Sequence, residues 1–193
     1  MLRRVLRTVL AAGAMIGVLA TWTGAAASPE GWAALRQPGA IAIMRHALAP
    51  GTGDPAAFRL DDCSTQRNLD ERGREQARAI GAALRANGIA VDRVVSSQWC
   101  RCLETAELLG FGAVEPLPSL NSFFRDYSRR DAQTAETKAF LGALPAGQRV
   151  VLVTHQVNIT ALTGAYPASG EVFVLQANKD GDVELTGRIL ITP

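Results

Sequence analysis

Only two histidines, His46 and His155, and three cysteines occur among the 193 residues of the chain. A structural zinc site needs four nitrogen or sulfur ligands at short, characteristic spacings. Cys100 and Cys102 stand two residues apart, but no histidine lies near them to complete such a set. The sequence therefore predicts no metal site, and we expect no cofactor.

The sequence also lacks an apolar run of the roughly 20 residues that a membrane-spanning helix needs. Its apolar segment 9–20 is shorter, follows three arginines and precedes the small residues Ala-Ala-Ala-Ser at 25–28. This pattern is typical of a secretory signal peptide and favours cleavage over a membrane anchor. We therefore predict that residues 1–27 are a signal peptide. Residues 28–193 would then form one periplasmic or secreted domain, with no stable membrane insertion after cleavage.

An excess of positive charge is missing from that predicted domain. Residues 28–193 hold 17 basic and 18 acidic side chains, because residues 1–27 contribute three arginines and no acid. Nucleic-acid-binding domains usually carry clustered Lys and Arg with interleaved aromatic residues, and no stretch of the domain has this composition. The charge balance therefore argues against nucleic acid as a partner.

The sequence does contain two apolar runs that each end at a histidine. The run Ala-Ile-Ala-Ile-Met at 40–44 leads to Arg45 and His46, and the run 149–154 leads to His155. Short apolar runs of this kind indicate buried strands. Because the carboxyl ends of parallel strands meet at one edge of a sheet, neighbouring strands would bring the two histidines together there.

A third strand-like run, 91–96, precedes a predicted helix over 98–109 that carries Arg101 near its start. The amides at a helix N-terminus attract anions, so this helix and Arg101 can face the same anion. Strands that alternate with helices are typical of a parallel sheet. The pattern therefore predicts an α/β fold with an anion-reactive site at the carboxyl ends of its strands.

Three motifs in this order resemble the histidine phosphatase (phosphoglycerate mutase-like) superfamily. The motifs are Met44-Arg45-His46-Ala47, similar to its Arg-His-Gly signature; Ser96-Ser97-x-x-x-Arg101-x-x-x-Thr105-Ala106, similar to its second arginine motif; and Val153-Thr154-His155, similar to the strand of its second histidine. The likeness extends from about Gly39 to Leu175. Ala47 and Gln156 replace the usual glycines. The resemblance implies a single three-layer α/β domain, with a mostly parallel central sheet flanked by helices.

The resemblance also implies a reaction. His46 would attack phosphorus and become phosphohistidine, Arg45 and Arg101 would each clamp the transferring group bidentately, and His155 would add a hydrogen bond. A backbone carbonyl that accepts from the other ring nitrogen of His46 would fix the reactive tautomer.

The remaining predicted site residues lie on loops and on a helix start. Asp126 is the candidate proton donor, because it is acidic and lies in the segment 121–127, where related enzymes place this group. Glu115 is the second candidate. We expect Arg67, Gln156 and Asn158 to bind the substrate.

Three functions stay open at this point. The first is an exported phosphomonoesterase similar to small periplasmic members such as the lipopolysaccharide core heptose phosphatase. Its substrate would be a small phosphorylated compound, with an envelope sugar phosphate as one candidate. The second is a phosphohistidine protein phosphatase, and the third a non-catalytic phosphoryl-binding envelope protein.

The cysteines predict a disulfide, because export places them in an oxidising compartment. Cys100 and Cys102 lie on one predicted helix, where residues two apart do not face each other. A bridge from Cys63 to either of them is therefore expected, with one thiol left over.

The other elements follow from caps, turns and periodicity. Asp70 is predicted to cap a helix that ends at Asn87-Gly88. Further helices are expected over 30–37, 130–144 and 158–163, and further strands over 113–117, 171–176 and 183–191. Two prolines favour an edge position for the strand 113–117.

Overall fold

Strands and helices alternate along the chain in the computed structural model, which describes residues 28–192. The strands are β1 (Ile41–Arg45), β2 (Arg93–Ser96), β3 (Val114–Pro116), β4 (Val150–Thr154), β5 (Val172–Ala177) and β6 (Val183–Ile189). The helices are α1 (Pro29–Leu35), α2 (Glu71–Ala86), α3 (Cys100–Leu108), α4 (Arg130–Gly142) and α5 (Gln156–Thr163). The predicted signal peptide, residues 1–27, lies outside the described residues.

The strands form one sheet in the order β3-β2-β4-β1-β5-β6. The pairs β2–β3, β2–β4 and β1–β4 are parallel, whereas β5 runs antiparallel to both of its neighbours. In the central pair, Met44 lies opposite Val153 and Arg45 opposite Thr154. The mostly parallel sheet is confirmed, and His46 and His155 leave it side by side.

Alternate residues of β1 face opposite sides of the sheet, as a pleated strand requires. Ala42 and Met44 pack in one apolar cluster with residues of α1, α2 and α3, whereas Ile41 and Ile43 pack in another with residues of α4 and α5. Both faces of β1 are therefore covered, which explains its unbroken apolar sequence. The predicted three-layer α/β architecture is confirmed.

Helix α2 begins and ends at the predicted residues. The carboxylate of Asp70 accepts a hydrogen bond from the backbone N–H of Gly73, and the helix ends before Asn87. Gly73 also lets the helix approach the loop after β1, since a Cβ atom there would lie 2.0 Å from the carbonyl oxygen of Leu48. A capped, closely packed α2 thus supports the backbone that follows His46.

Two helices that border the site begin two residues away from the predicted position. α3 starts at Cys100, because Trp99 before it has an extended backbone, and α5 starts at Gln156, directly after the equally extended His155. The earlier start of α5 leaves a one-residue connection from β4. Both shifts concern the residues that enclose the site.

A disulfide joins Cys63 to Cys100, which settles the pairing that the sequence left open. It links the long loop after β1 to the first residue of α3. Cys102 is a free thiol buried beneath that helix. Among residues 28–192, no helix combines the length and the apolar character needed to cross a bilayer.

Candidate active site

The two histidines lie together at the carboxyl edge of the sheet. Their ring centroids are 5.5 Å apart in an edge-on arrangement, and both side chains are almost completely buried. The backbone N–H of His46 donates to the carbonyl of Thr154, the last residue of β4, over 2.9 Å. The parallel pairing of β1 with β4 is therefore what brings the two rings together.

The tautomer of His46 is fixed by the backbone of the next residue, Ala47. Its Nδ1 lies 2.8 Å from the carbonyl oxygen of Ala47. Because a carbonyl oxygen can only accept, Nδ1 carries the proton and Nε2 keeps a lone pair. Burial, and after it the charge of Arg101, lowers the pKa of His46 well below its usual value. The ring therefore stays neutral at physiological pH, with one basic nitrogen available.

Ala47 fits its position without strain. Its backbone N–H donates to the hydroxyl of Thr105 over 3.1 Å, and its methyl group is buried in a small apolar cluster with Ala49, Leu69 and Ala77. No residue of the described chain other than glycine has a positive φ. The backbone after His46 therefore does not need the glycine that the resemblance led us to expect.

His155 is held by a short polar chain. Its Nε2 lies 2.9 Å from the hydroxyl of Ser97, and that hydroxyl donates to the side-chain oxygen of Asn121 over 3.2 Å. Nε2 must then donate to Ser97, which leaves the Nδ1 lone pair directed at Arg101, 3.4 Å away. Burial and the charge of Arg101 also lower the pKa of His155 well below its usual value.

The guanidinium of Arg101 is paired with a residue that the sequence did not single out. Its Nη1 and Nη2 donate to the two carboxylate oxygens of Asp54 over 2.7 and 3.2 Å, and both side chains are buried. Nη1 also donates to the carbonyl of Arg67. The predicted bidentate clamp of Arg101 on a phosphoryl group is thus not available in this arrangement, because Asp54 occupies that edge of the guanidinium.

Asp54 is held by further donors. The indole N–H of Trp99 and the backbone N–H of Arg67 each donate to its carboxylate over 3.1 Å. Burial by itself would raise the pKa of Asp54, but the hydrogen bonds and charge of Arg101 outweigh it and hold the pKa below the usual range. Asp54 is therefore an ionised, buried carboxylate inside a basic site.

Arg45 and Arg67 line the same pocket in different ways. Arg45 makes one long hydrogen bond, 3.4 Å, to the carbonyl of Pro167. Arg67 is anchored by the carbonyls of Gly53 and Ala49, and burial together with the charge of Arg101 lowers its pKa to about 10. Arg67 thus stays charged at neutral pH and is fixed in place.

Two buried donors in the site have no partner among the described residues. They are the Nε atoms of Arg45 and Arg101. An unpaired buried donor costs free energy, most of all on a charged group. The two atoms are therefore unpaired donors that an anionic oxygen could satisfy.

These residues enclose a pocket of about 310 Å³. The lining includes the two histidines and the guanidinium-bearing Arg45, Arg67 and Arg101, with an outer wall of Phe58, Trp99, Phe124, Arg125, Asp126 and Arg129. Gln156 and Val157, the first two residues of α5, also line it. The first amide of α3 is instead bound by Gln66. The N-terminus of α3 lies at the pocket with its first amide already paired, and that of α5 lies there as well.

Some of the predicted accessory residues line the pocket and others do not. Asp126 and Gln156 line the pocket, and Arg67 does as well. Glu115 lies on β3, where it pairs with Arg93 over 2.7 Å, so its predicted role as an alternative proton donor does not fit. Asn158 is buried behind the pocket and donates to the carbonyl of Asn121 over 2.9 Å, so direct substrate binding does not fit it either.

Within residues 28–192 no group of histidine, cysteine, aspartate and glutamate side chains is arranged to hold a metal ion. Imidazoles, guanidiniums and carboxylates line the pocket. An unprotonated imidazole nitrogen among fixed cations suits attack on an anionic phosphoryl group.

Comparison with known proteins agrees with this chemistry. Residues 41–139 match the family model described as histidine phosphatase superfamily (branch 1). No curated protein sequence matches the chain.

Three solved structures illustrate the likeness in fold. The protein histidine phosphatase SixA complexed with tungstate is 19% identical, with a TM-score of 0.53, over 78% of this chain and 96% of that one. The protein TTHB049 from Thermus thermophilus is 19% identical, with a TM-score of 0.54, over 79% and 99%. The phosphoserine phosphatase of Entamoeba histolytica, in complex with 3-phosphoglyceric acid, is 14% identical, with a TM-score of 0.56, over 79% and 97%.

Proposed function

The chain belongs to the histidine phosphatase superfamily, and from this premise we propose that it is an exported phosphomonoesterase with His46 as its nucleophile. The observation that carries the proposal is the hydrogen bond from Nδ1 of His46 to the carbonyl of Ala47. It leaves Nε2 basic in a pocket lined by five arginines, of which Arg45, Arg67 and Arg101 act electrostatically on His46. A neutral imidazole nitrogen beside fixed positive charge can attack a phosphate dianion that would repel an anionic nucleophile.

In the first step, Nε2 of His46 forms a bond to phosphorus as the ester P–O bond breaks. The Nε groups of Arg45 and Arg101 donate to the equatorial oxygens, which relieves their unpaired state, and Arg67 adds charge from a fixed position. Preorganised donors of this kind stabilise the charge that spreads over the transferring group.

His155 acts on the same oxygens once the dianion is bound. Its Nδ1 has a lone pair in this structure, so it must take up a proton before it can donate to phosphate. Negative charge beside the ring raises the pKa of an imidazole, and Ser97 keeps the ring oriented through Nε2. His155 therefore stabilises the transferring group without forming a bond to phosphorus.

Asp126, in its acid form, gives its proton to the departing oxygen. Water then attacks phosphorus, the P–N bond to His46 breaks, and the proton from water returns to the Asp126 carboxylate as orthophosphate leaves. Asp126 is exposed in the outer wall of the pocket, whereas His46 is buried at the sheet edge. Its position in the lining supports this role.

Acid quenching during turnover tests the nucleophile. Phosphate should be trapped on His46 as an acid-labile, base-stable adduct, and His46→Ala should abolish both trapping and turnover. His155→Ala should retain some trapping at a much lower rate, because it removes stabilisation but not the attacking atom. Label on His155, with His46→Ala still active, would reverse the assignment.

The substrate can be identified by measuring turnover of a panel of phosphorylated sugars, inositol phosphates, nucleotides and lipopolysaccharide fragments. Our candidate is an envelope sugar phosphate. Because the fold is similar to that of a protein histidine phosphatase, we include a phosphohistidine-bearing protein in the same panel. Preference for that protein over every ester would replace the monoesterase assignment. Phosphate binding with no turnover of any member would support a non-catalytic phosphoryl-binding protein.

A further inference from the structure

The buried carboxylate of Asp54 lines the pocket, and the proposed reaction does not use it. Each of its oxygens accepts one hydrogen bond from Arg101, on the edge of the guanidinium that a phosphate could otherwise bind. Both oxygens are also held by other donors, Oδ1 by the amide of Arg67 and Oδ2 by the indole of Trp99. A carboxylate is an expensive group to bury, so its place beside the reacting residues needs a physical reason.

Asp54 limits how many N–H groups of Arg101 remain free to bind a substrate. Nη1 donates to Asp54 and to the carbonyl of Arg67, and Nη2 faces Asp54 and the Nδ1 of His155. Only Nε remains without a partner among the described residues. A bound phosphoryl group can therefore take one hydrogen bond from Arg101 while Asp54 is in place, and two only if Asp54 gives up its own.

We propose that Asp54 is a positioning residue and an internal competitor of phosphate, which orients Arg101 and keeps the affinity of the pocket for free phosphate low. The inference rests on the proposed function, since it takes the pocket to be a phosphoryl site. Both substrate and product of a phosphatase are phosphate anions, and a site that binds the product tightly releases it slowly. One negative charge fixed beside Arg101 weakens the binding of product and leaves the Nε donor for the transition state.

The loop that carries Asp54 is built to hold it there. Gly51 and Gly53, on either side of Thr52, both have positive φ angles. L side chains rarely adopt this conformation, whereas glycine adopts it readily. Arg67 fastens the loop through the carbonyls of Ala49 and Gly53. The carboxylate is therefore fixed by its backbone as well as by its ion pair.

Asp54→Asn tests the inference, because it keeps the shape of the side chain and removes its charge. We expect the dissociation constant of inorganic phosphate, measured by calorimetry, to fall by about tenfold or more, the effect of one additional charge-assisted hydrogen bond. We expect kcat to fall at the same time, because Arg101 loses its orientation and product leaves more slowly. In a variant whose circular dichroism spectrum matches that of the unmodified protein, unchanged or weaker binding overturns the proposal.

Asp62→Asn is the matched control. Asp62 lies on the same loop, pairs with Arg59 at the surface and does not line the pocket. Its variant should bind phosphate as the unmodified protein does. Equal tightening in both variants would show a general charge effect and would also overturn the proposal.

A measurement on the unmodified protein covers the case in which Asp54→Asn does not fold. If phosphate draws Arg101 away from Asp54, the carboxylate accepts more strongly from Trp99. The indole proton resonance of Trp99, assigned by its loss in Trp99→Phe, should then move downfield as phosphate is added. An upfield move or no change contradicts the proposal. Unmodified protein that neither binds phosphate nor hydrolyses an ester would instead refute the proposed function.

Discussion

At the scale of single residues, two buried neutral histidines set the pH dependence of the stability of this protein. The folded-state pKa values of His46 and His155 are both lowered, primarily by burial. In the unfolded chain each imidazole takes up a proton near pH 6.5, while the folded protein does not. The contribution of the two histidines to the free energy of unfolding is therefore fully present above that pH. It is lost as the pH falls below it.

We expect the free energy of unfolding to decrease by about 3 kcal/mol between pH 7.5 and 5.5, roughly half of it from each histidine. Urea denaturation at the two pH values measures the difference. His46→Asn should lose about half as much over the same interval. Asp54, whose folded-state pKa is lowered, contributes stability that is lost only near pH 4 and below. It therefore does not contribute to the change between pH 7.5 and 5.5. A pH-independent free energy in this interval would mean that the rings take up protons equally in the folded and unfolded states, and would contradict the prediction.

Asp126 gives a second prediction at this scale. Asp126→Asn should slow hydrolysis of sugar phosphates far more than that of an aryl phosphate, whose phenolate leaving group hardly needs a proton. The ratio of kcat/KM for the two substrates measures this. The Asp126 carboxylate also accepts hydrogen bonds from Ser128, so Ser128→Ala is the control for local disorder. Equal losses on both substrates in Asp126→Asn would point to water or to the substrate as donor.

The sequence could predict the residues whose chemistry is unusual for their position. An Arg-His pair after an apolar strand and a second histidine after another fall in this class, and the structure brings Arg45, His46, Arg101 and His155 together. Asp54 could not be predicted, because a carboxylate between glycine and proline in a loop has the pattern of an ordinary turn. Asn158 lies on a helix that begins two residues earlier than expected, and its side chain is buried outside the pocket lining.

At the scale of elements, the disulfide ties the loop after β1 to α3. It closes a sequence separation of 37 residues, between Cys63 and Cys100, and so restricts the unfolded chain. The amide of Cys100 is also bound by Gln66, next to the Arg67 that lines the pocket. The bridge therefore holds two walls of the pocket as well as stabilising the fold.

We expect reduction of this disulfide to lower the free energy of unfolding by about 2 to 4 kcal/mol, by the usual effect of a native crosslink. Denaturant titration with and without reductant measures the change. The double variant Cys63→Ser/Cys100→Ser is the control, since reductant should not affect it further. Without reductant, the denatured protein should show one free thiol, that of Cys102, and three would refute the bridge in solution.

Elements were predictable where local signals and packing agree. The cap at Asp70 and the stop at Asn87-Gly88 fixed α2, and the prolines confined β3 to an edge. The start of α3 was misplaced because it depends on Trp99, which has an extended backbone and packs against Phe58 at 5.0 Å between ring centroids. Such tertiary contacts leave no local pattern in the sequence.

At the scale of the whole molecule, we propose that the chain is exported and that its mature form begins near Ser28. Ser28 caps α1 by accepting a hydrogen bond from the backbone N–H of Gly31. Intact-mass measurement on protein recovered from the periplasm should give the mass of residues 28–193. A mass that retains residues 1–27 would remove the argument for export and make the apolar segment an anchor.

The fold class followed from the order of apolar runs, whereas the strand order did not follow from local sequence. Parallel neighbours were expected for β1 and β4 because each ends at a histidine, and the register of Arg45 with Thr154 confirms it. The antiparallel placement of β5 on the other side of β1 has no local signal. It depends on how the chain from α5 returns to the sheet.

The central position of β1 has a consequence for how the protein is made. Its two hydrogen-bonding edges are completed by β4 and β5, which come from residues 150–177. Pairing over such a separation is slow, because a long loop must close before any contact is gained. A growing chain thus holds an apolar strand with both edges unpaired until its last part is synthesised, a state that favours aggregation. Gain of activity during refolding would therefore report the pairing of β1 with β4, which places both histidines in register.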